Sequence, residues 1–260
     1  MDFRYAALTD VGRIRIGNED AIRVEPAHGV AILADGMGGY AGGEVASAMA
    51  IQQVGDGLTA WLARVGQASV QDARNIMEAC VAHANRAIFD AAHSRPEHAG
   101  MGTTLVVSWV VQDTMLIGHV GDSRAYLWRQ GALRQLTRDH SVVQEQIDAG
   151  LLTPDDAARS ANHHLVTRAL GVEDAVSLEV QALALQADDL VLLCSDGLTD
   201  MVCDEELAEL LRPPQPLPQL LARLIACANH NGGRDNVSVV AIEARKSRKK
   251  SSVLHKLLGK

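Results

Sequence analysis

Aromatic side chains make up only 3% of the 260 residues, so little is available for stacking on bases, and Val, Ile, Leu and Ala must fill the core. Nucleic acid is a poor match as a partner. Cysteine is nearly as scarce. Cys80, Cys194, Cys203 and Cys227 form no C-x-x-C pair, two of them sit inside apolar runs, and the set reads as reduced core thiols. No run approaches the ~20 apolar residues that span a bilayer. Met1-Asp2-Phe3-Arg4 does not open a basic region followed by an apolar stretch, so a cytoplasmic location is expected.

Positive charge is outnumbered over most of the chain. The formal net charge is −8, yet Arg245, Lys246, Arg248, Lys249, Lys250, Lys256 and Lys260 form a tail without one acid, which leaves −15 on residues 1–244. A body this acidic repels phosphorylated ligands unless bound cations neutralise some of its carboxylates. Composition alone therefore hints at metal.

What is present is apolar material, 47% of the chain, enough for a sizeable core. Strand-length apolar segments recur at Tyr5–Val11, Val30–Ala34, Thr103–Val111, Met115–Val120, Ala125–Trp128, Leu178–Ala184, Leu190–Cys194 and Val237–Ile242. Links as short as Gln112-Asp113-Thr114 require antiparallel neighbours. Helical stretches are expected at about 43–64, 70–93 and 217–228. In the second, Ile76, Met77, Cys80, Ala84, Ala87, Ile88 and Ala91 share one face, as a helix laid on a sheet requires. These elements predict a layered α+β domain. Residues 139–171 are polar and contain Thr153-Pro154-Asp155-Asp156, which predicts a mobile helical insertion over one rim.

Aspartates stand repeatedly at the ends of these strands beside glycine or asparagine: Asn18-Glu19-Asp20, Asp35-Gly36, Gly121-Asp122-Ser123-Arg124, Ser195-Asp196-Gly197 and Arg234-Asp235-Asn236. Any one of them could be an ordinary turn. Together they suit a cage in which carboxylates at the mouth of a β layer reach solvent and glycine admits an ion close to the main chain. Hard oxygen donors, with no histidine or cysteine cluster at ligand spacing, select Mg²⁺ or Mn²⁺ over zinc. Two such ions about 3.5–4 Å apart suit phosphate-ester hydrolysis.

The motifs resemble the metal-dependent protein serine/threonine phosphatase family, type 2C, in its compact bacterial form. The matching stretches are Thr9-Asp10-Val11-Gly12 with Arg15 and Asn18-Glu19-Asp20; Ala34-Asp35-Gly36-Met37-Gly38-Gly39; Gly102-Thr103-Thr104; Gly118 to Arg124; Leu136 to Ser141; Leu165 to Gly171; Ser195 to Leu198; and Arg234-Asp235-Asn236. The resemblance covers a catalytic domain at residues 1–243, with a flap at about 139–171 and a basic tail at 244–260. It implies a four-layer α-β-β-α sandwich of two antiparallel sheets flanked by helices.

The resemblance also implies roles. Asp35 would bridge two ions, Asp196 and Asp235 completing one site and Glu19 with the Gly36 carbonyl the other. Asp20 would orient water from outside, and Arg15 would pair with the substrate phosphate. Asp122 would serve a possible third ion with Asp196, or Gly121 to Arg124 is simply a hairpin turn. Many eukaryotic members carry a histidine after the Asp-Gly of the first metal strand. This chain has Met37 there, and a thioether cannot donate a proton, so metal-bound water or His163 would serve the leaving group.

The implied partners are phosphoprotein substrates, including a Ser/Thr kinase or its targets, with the chain acting as a monomer. The tail reads as a solvated end, or as a segment touching an anionic membrane or acidic partner through Val253, Leu254, Leu257 and Leu258. A catalytically silent phosphoprotein-binding module and a small-molecule phosphoesterase are the alternatives, and the complete set of carboxylates weighs against the first.

Overall fold

The structure, a computed structural model, describes all residues except 40, 41, 154, 155, 157–159, 161, 163 and 248–260. His163 and the tail beyond residue 247 thus lie outside the described residues.

Alternation along the strands builds the layers, because successive side chains in a strand point to opposite faces. In β3 (Val30–Met37), Val30, Ile32 and Ala34 pack into one cluster with residues of two long helices, while Ala31 and Leu33 join a second cluster between the sheets. The helices are α1 (Gly42–Val65) and α2 (Val70–Ser94), the latter capped by Ser69, whose hydroxyl accepts from the Asp72 N–H at 3.1 Å. On the far side, Leu190, Leu192 and Cys194 of β10 (Leu190–Cys194) pack with Val237, Val239 and Ala241 of β11 (Val237–Arg245) beneath the outer helices. Val191, Leu193, Val240 and Ile242 point inward to the cluster between the sheets.

Both sheets are antiparallel. One has β1 (Asp2–Asp10), β11, β10, β7 (Arg124–Arg129) and β8 (Ala132–Gln135) in that order. The other has β2 (Asp20–Glu25), β3, β5 (Leu105–Val111), β6 (Thr114–Val120) and β9 (Glu179–Ala184), with β4 (Gly102–Thr103) beside β3. Among the described residues, further α-helices are α3 (Val142–Asp148), α4 (Asp196–Thr199), α5 (Asp204–Leu211) and α6 (Leu217–His230). Side chains of α4, α5 and α6 cover the first sheet, giving the expected α-β-β-α order.

Several expectations need correction. The segment expected as one strand from Thr103 to Val111 is divided at Thr104 into β4 and β5, although both pieces pair with β3 in one register and the Thr104 N–H donates to the Asp35 carbonyl at 2.9 Å. The buried stripe of α2 runs through Ala73, Met77, Cys80, Val81, Ala84 and Ile88, and Ile76, Ala87 and Ala91 are only its half-buried flanks. Cys80 and Cys194 are core thiols, but Cys203 is exposed at the entry to α5 and Cys227 is half-buried, its thiol donating to Glu206 Oε1 at 3.1 Å. Within residues 139–171 the described part holds α3, and the backbone bridges Ser141 to Val166 and Leu170 to Thr103. Among the described residues no helix is long and apolar enough to cross a membrane.

Candidate metal centre

Antiparallel pairing decides where the acidic residues meet. Asp20 opens β2 and lies directly opposite Asp35 near the end of β3, while Asp196 follows β10 and Asp235 precedes its partner β11. Asp122 follows β6. Starts and ends of antiparallel strands share a rim, and here they line a cleft of about 250 Å³ with Arg15, Glu19, Asp35, Gly36, Asp122, Asp196 and Asp235 in its wall. The structure thus brings Glu19, Asp35, Gly36, Asp122, Asp196, Asp235 and Arg15 together, and it places Asp20 immediately behind them.

The rim is held by polar side chains that link distant loops. Asn236 Oδ1 accepts the Glu19 N–H at 2.7 Å while its Nδ2 donates to the carbonyls of Val11 and Gly17, so the loop carrying Arg15 and Glu19 is tied to the one carrying Asp235. Ser195 Oγ donates to Asp20 Oδ2 at 2.9 Å and accepts the Ser238 N–H, joining the two sheets. Thr104 Oγ1 accepts the Asp35 N–H at 3.0 Å and meets Ser123 Oγ at 2.7 Å. Glycine is obligatory at two close approaches. A Cβ on Gly36 would lie 2.1 Å from the Gly43 carbonyl oxygen, and one on Gly197 would lie 1.9 Å from that of Asn236.

The electrostatics are those of a site built for cations. Burial, then repulsion from Asp20, Asp196 and Asp122, holds the Asp35 carboxyl well above the usual carboxylate range. Asp196 is raised by burial and by Asp122 and Asp200. Burial pushes Asp20 up to about 6 and, with Asp139, Asp122 up to about 7. Asp35 and Asp196 keep some surface open to the cleft, although protein packs densely around their carboxyl groups. Asp20 Oδ1 and Asp196 Oδ1 are buried without a hydrogen-bond partner. Unpaired buried carboxylate oxygens and mutual repulsion both cost free energy that a divalent cation offsets. The donor set is all oxygen, so it fits Mg²⁺ or Mn²⁺.

Arg15 donates to Asp235 Oδ2 at 2.6 Å, and its guanidinium is half exposed above the cleft. Among the described residues, His164, next in sequence to His163, and Met37 line the cleft wall. Sequence reasoning missed Asn236, Ser195 and Thr104 as supports, and Asp200 as a further acid beside Asp122 and Asp196. Asn236, Ser195 and Thr104 did stand inside the quoted motifs, which was the available signal.

A family model described as "Protein phosphatase 2C" matches residues 15–239. The chain is 38% identical over 238 residues to the serine/threonine phosphatase stp of Listeria monocytogenes, covering 90% of this chain and 93% of that one. It is 39% identical over 242 residues to the serine/threonine protein phosphatase PstP of Mycobacterium tuberculosis, covering 92% of this chain and 45% of that longer one. Among solved structures, the PstP catalytic domain in complex with two manganese ions superposes with a TM-score of 0.82 at 37% identity, covering 94% of this chain and 99% of that one. The serine/threonine phosphatase of S. agalactiae gives a TM-score of 0.86 at 34% identity, with 94% and 100% covered.

Proposed function

The chain belongs to the protein phosphatase 2C family and is a metal-dependent serine/threonine protein phosphatase, and from that premise we propose how its own residues hydrolyse phosphoserine and phosphothreonine. The observation that carries the reading is the convergence of Glu19, Asp35, Asp196 and Asp235 from distant loops on one cleft beside Arg15.

Asp35, in the cleft wall, would be shared by two cations. Asp196 and Asp235 would complete one site, and Glu19 with the Gly36 carbonyl the other. Asp122 with Asp196 would hold a third. When bound, Mg²⁺ or Mn²⁺ supplies Lewis acidity that lowers the pKa of water and neutralises phosphate charge. Arg15 presents a planar fork to two phosphate oxygens, exchanging its contact with Asp235 for the substrate. Asp20, one layer deeper and held by Ser195, orients water by accepting its hydrogen. Met37 can donate no proton. His163 stays in this account as a proposed substrate contact.

The −15 charge of residues 1–244 disfavours free phosphoproteins until cations fill the cleft, which couples substrate binding to metal. A cytoplasmic enzyme acting as a monomer, opposing a Ser/Thr kinase, with residues 139–171 controlling access and the tail free to touch an anionic surface, completes the proposal. Turnover of a phosphothreonine peptide against a sugar phosphate, each with Mn²⁺ and with EDTA, is the test. Rapid Mn²⁺-dependent release from the peptide is expected. Preference for the sugar phosphate, or phosphate release unaffected by EDTA, would overturn it.

A further inference from the structure

Behind the cleft, at the roots of the 139–171 segment, two histidines stack with ring centroids 4.7 Å apart and planes 16° from parallel. They are His119, 1% exposed on β6, and His140, 7% exposed after β8. Taking the phosphatase reading as given, we propose that His140 is a positioning residue for Asp122, acting through the lone pair of Nδ1.

Three bonds carry the inference. The Gly121 N–H donates to His140 Nδ1 at 3.1 Å, and the His140 N–H donates back to the Gly121 carbonyl at 3.0 Å. The Thr167 N–H donates to the His140 carbonyl at 2.8 Å, and Ser141 bridges to Val166. One residue therefore grips the peptide before Asp122 from both sides and also holds the chain returning from the segment. The gripped turn has little slack. Gly121 has φ +100°, and a Cβ there would lie 2.7 Å from Thr104 Cγ2, on the residue whose hydroxyl accepts the Asp35 N–H. A displaced Gly121 would move Asp122 and disturb the support of Asp35.

The ring must be neutral and of one tautomer for this. Nδ1 accepts from Gly121, so Nε2 carries the proton and faces Glu179 Oε2 at 3.4 Å. His119 Nε2, 2.8 Å from the Arg138 carbonyl, must be a donor, and its buried Nδ1 has no hydrogen-bond partner. Burial first, then the neighbouring His119, depresses the His140 pKa and keeps the lone pair available. The group His119, His140 and Glu179, and not a trio of the cleft's aspartates, is the one whose ligand atoms all come within 4.8 Å among the described residues. Yet a metal on His140 Nε2 would have to displace the proton that the Gly121 bond fixes there, so the arrangement serves hydrogen bonding.

His140→Asn and His140→Gln separate the contributions. The Asn Oδ1 replaces Nδ1, whereas the Gln amide replaces Nε2, and both lose the stacking. With a phosphothreonine peptide and Mn²⁺, His140→Gln should lower kcat about 10- to 100-fold with a raised Mn²⁺ requirement, as loss of a group that orients a ligand does. Peptide KM should change less than about twofold, and His140→Asn should recover to within about threefold of wild type. Exchange protection of the Gly121 amide in metal-free protein reads the bond itself and should survive in His140→Asn but not in His140→Gln. Equal protection in the two variants, or equal kinetics, would overturn the assignment. If wild-type protein fails to hydrolyse the peptide, the phosphatase reading falls while the exchange measurement still decides the role of His140.

Discussion

Raising the pH should destabilise the metal-free protein, the opposite of ordinary acid denaturation. In the folded chain Asp20 is lifted from its usual 3.8 to about 6, and Asp122 from 3.8 to about 7, both chiefly by burial. Asp35 and Asp196 move the same way. Between about pH 4 and 7 the unfolded chain has released protons that the folded chain still holds, so stability falls as pH rises. The stability is fully present below pH 4 and is lost as pH passes through the folded values. At about 1.4 kcal/mol per pKa unit, and because these groups interact and cannot simply be summed, the loss is on the order of a few kcal/mol. At roughly 2–4 °C per kcal/mol for a chain of this size, Tm should drop by on the order of 10 °C from pH 5 to pH 8 in EDTA. Mn²⁺ prefers the charged carboxylates, so at saturation the slope should flatten and the curve rise, by about 2.7 kcal/mol at a hundredfold excess over Kd. Differential scanning fluorimetry across that range, with EDTA and with MnCl₂, is the assay. A Tm in EDTA that is flat or climbs to pH 8, or a slope unchanged by Mn²⁺, would refute the reasoning.

Other outcomes follow from the same geometry. Asp35→Ala, Asp196→Ala or Asp235→Ala should each lower kcat roughly a hundredfold or more, and near wild-type turnover in any of them would remove that residue from the cage. Arg15→Ala should raise peptide KM about tenfold or more, the scale of a charge-assisted contact. Because Arg15 engages Asp235, calorimetric Mn²⁺ titration of that variant should show affinity equal to or tighter than wild type, and weaker binding would contradict its assignment to phosphate. Gly197→Ala should cost about 1–3 kcal/mol in urea unfolding, because its Cβ would sit 1.9 Å from the Asn236 carbonyl oxygen, and an unchanged midpoint would show that the backbone yields freely.

Strands buried on both faces were the most legible parts of the fold, although the less buried edge strands β1 and β9 were also foreseen, as Tyr5–Val11 and Leu178–Ala184. β3, β10 and β11 read as apolar runs because one side meets helices and the other meets the opposing sheet. Edge strands β2 and β8 did not, since Asp20–Glu25 and Ala132–Gln135 are mostly half-buried or exposed and mix charge with apolar residues. Helix α5 was hidden by its acidic first turn, Asp204, Glu205 and Glu206, with Leu207 and Leu211 as its buried positions. The carboxylates were visible because each stands at a strand end beside a turn residue. What holds them was not. The Glu19 to Asn236 bond joins positions 217 apart, and the His119 and His140 stack depends on how the chain after β8 returns to β6, so neither leaves a spacing to read. The fold also corrected the cysteines: Cys203 looks like a core thiol only until α5 is seen to begin beside it at the surface.

The central claim is that carboxylates from distant loops hold divalent cations at one rim of the sandwich. Diffraction from crystals grown with MnCl₂, collected on both sides of the manganese absorption edge, measures this directly. Two anomalous peaks sharing Asp35, one also touching Asp196 and Asp235 and the other beside Glu19 and the Gly36 carbonyl, are the expected result. Manganese elsewhere, or Asp35, Asp196 and Asp235 around a cleft without anomalous signal at saturating metal, would contradict it.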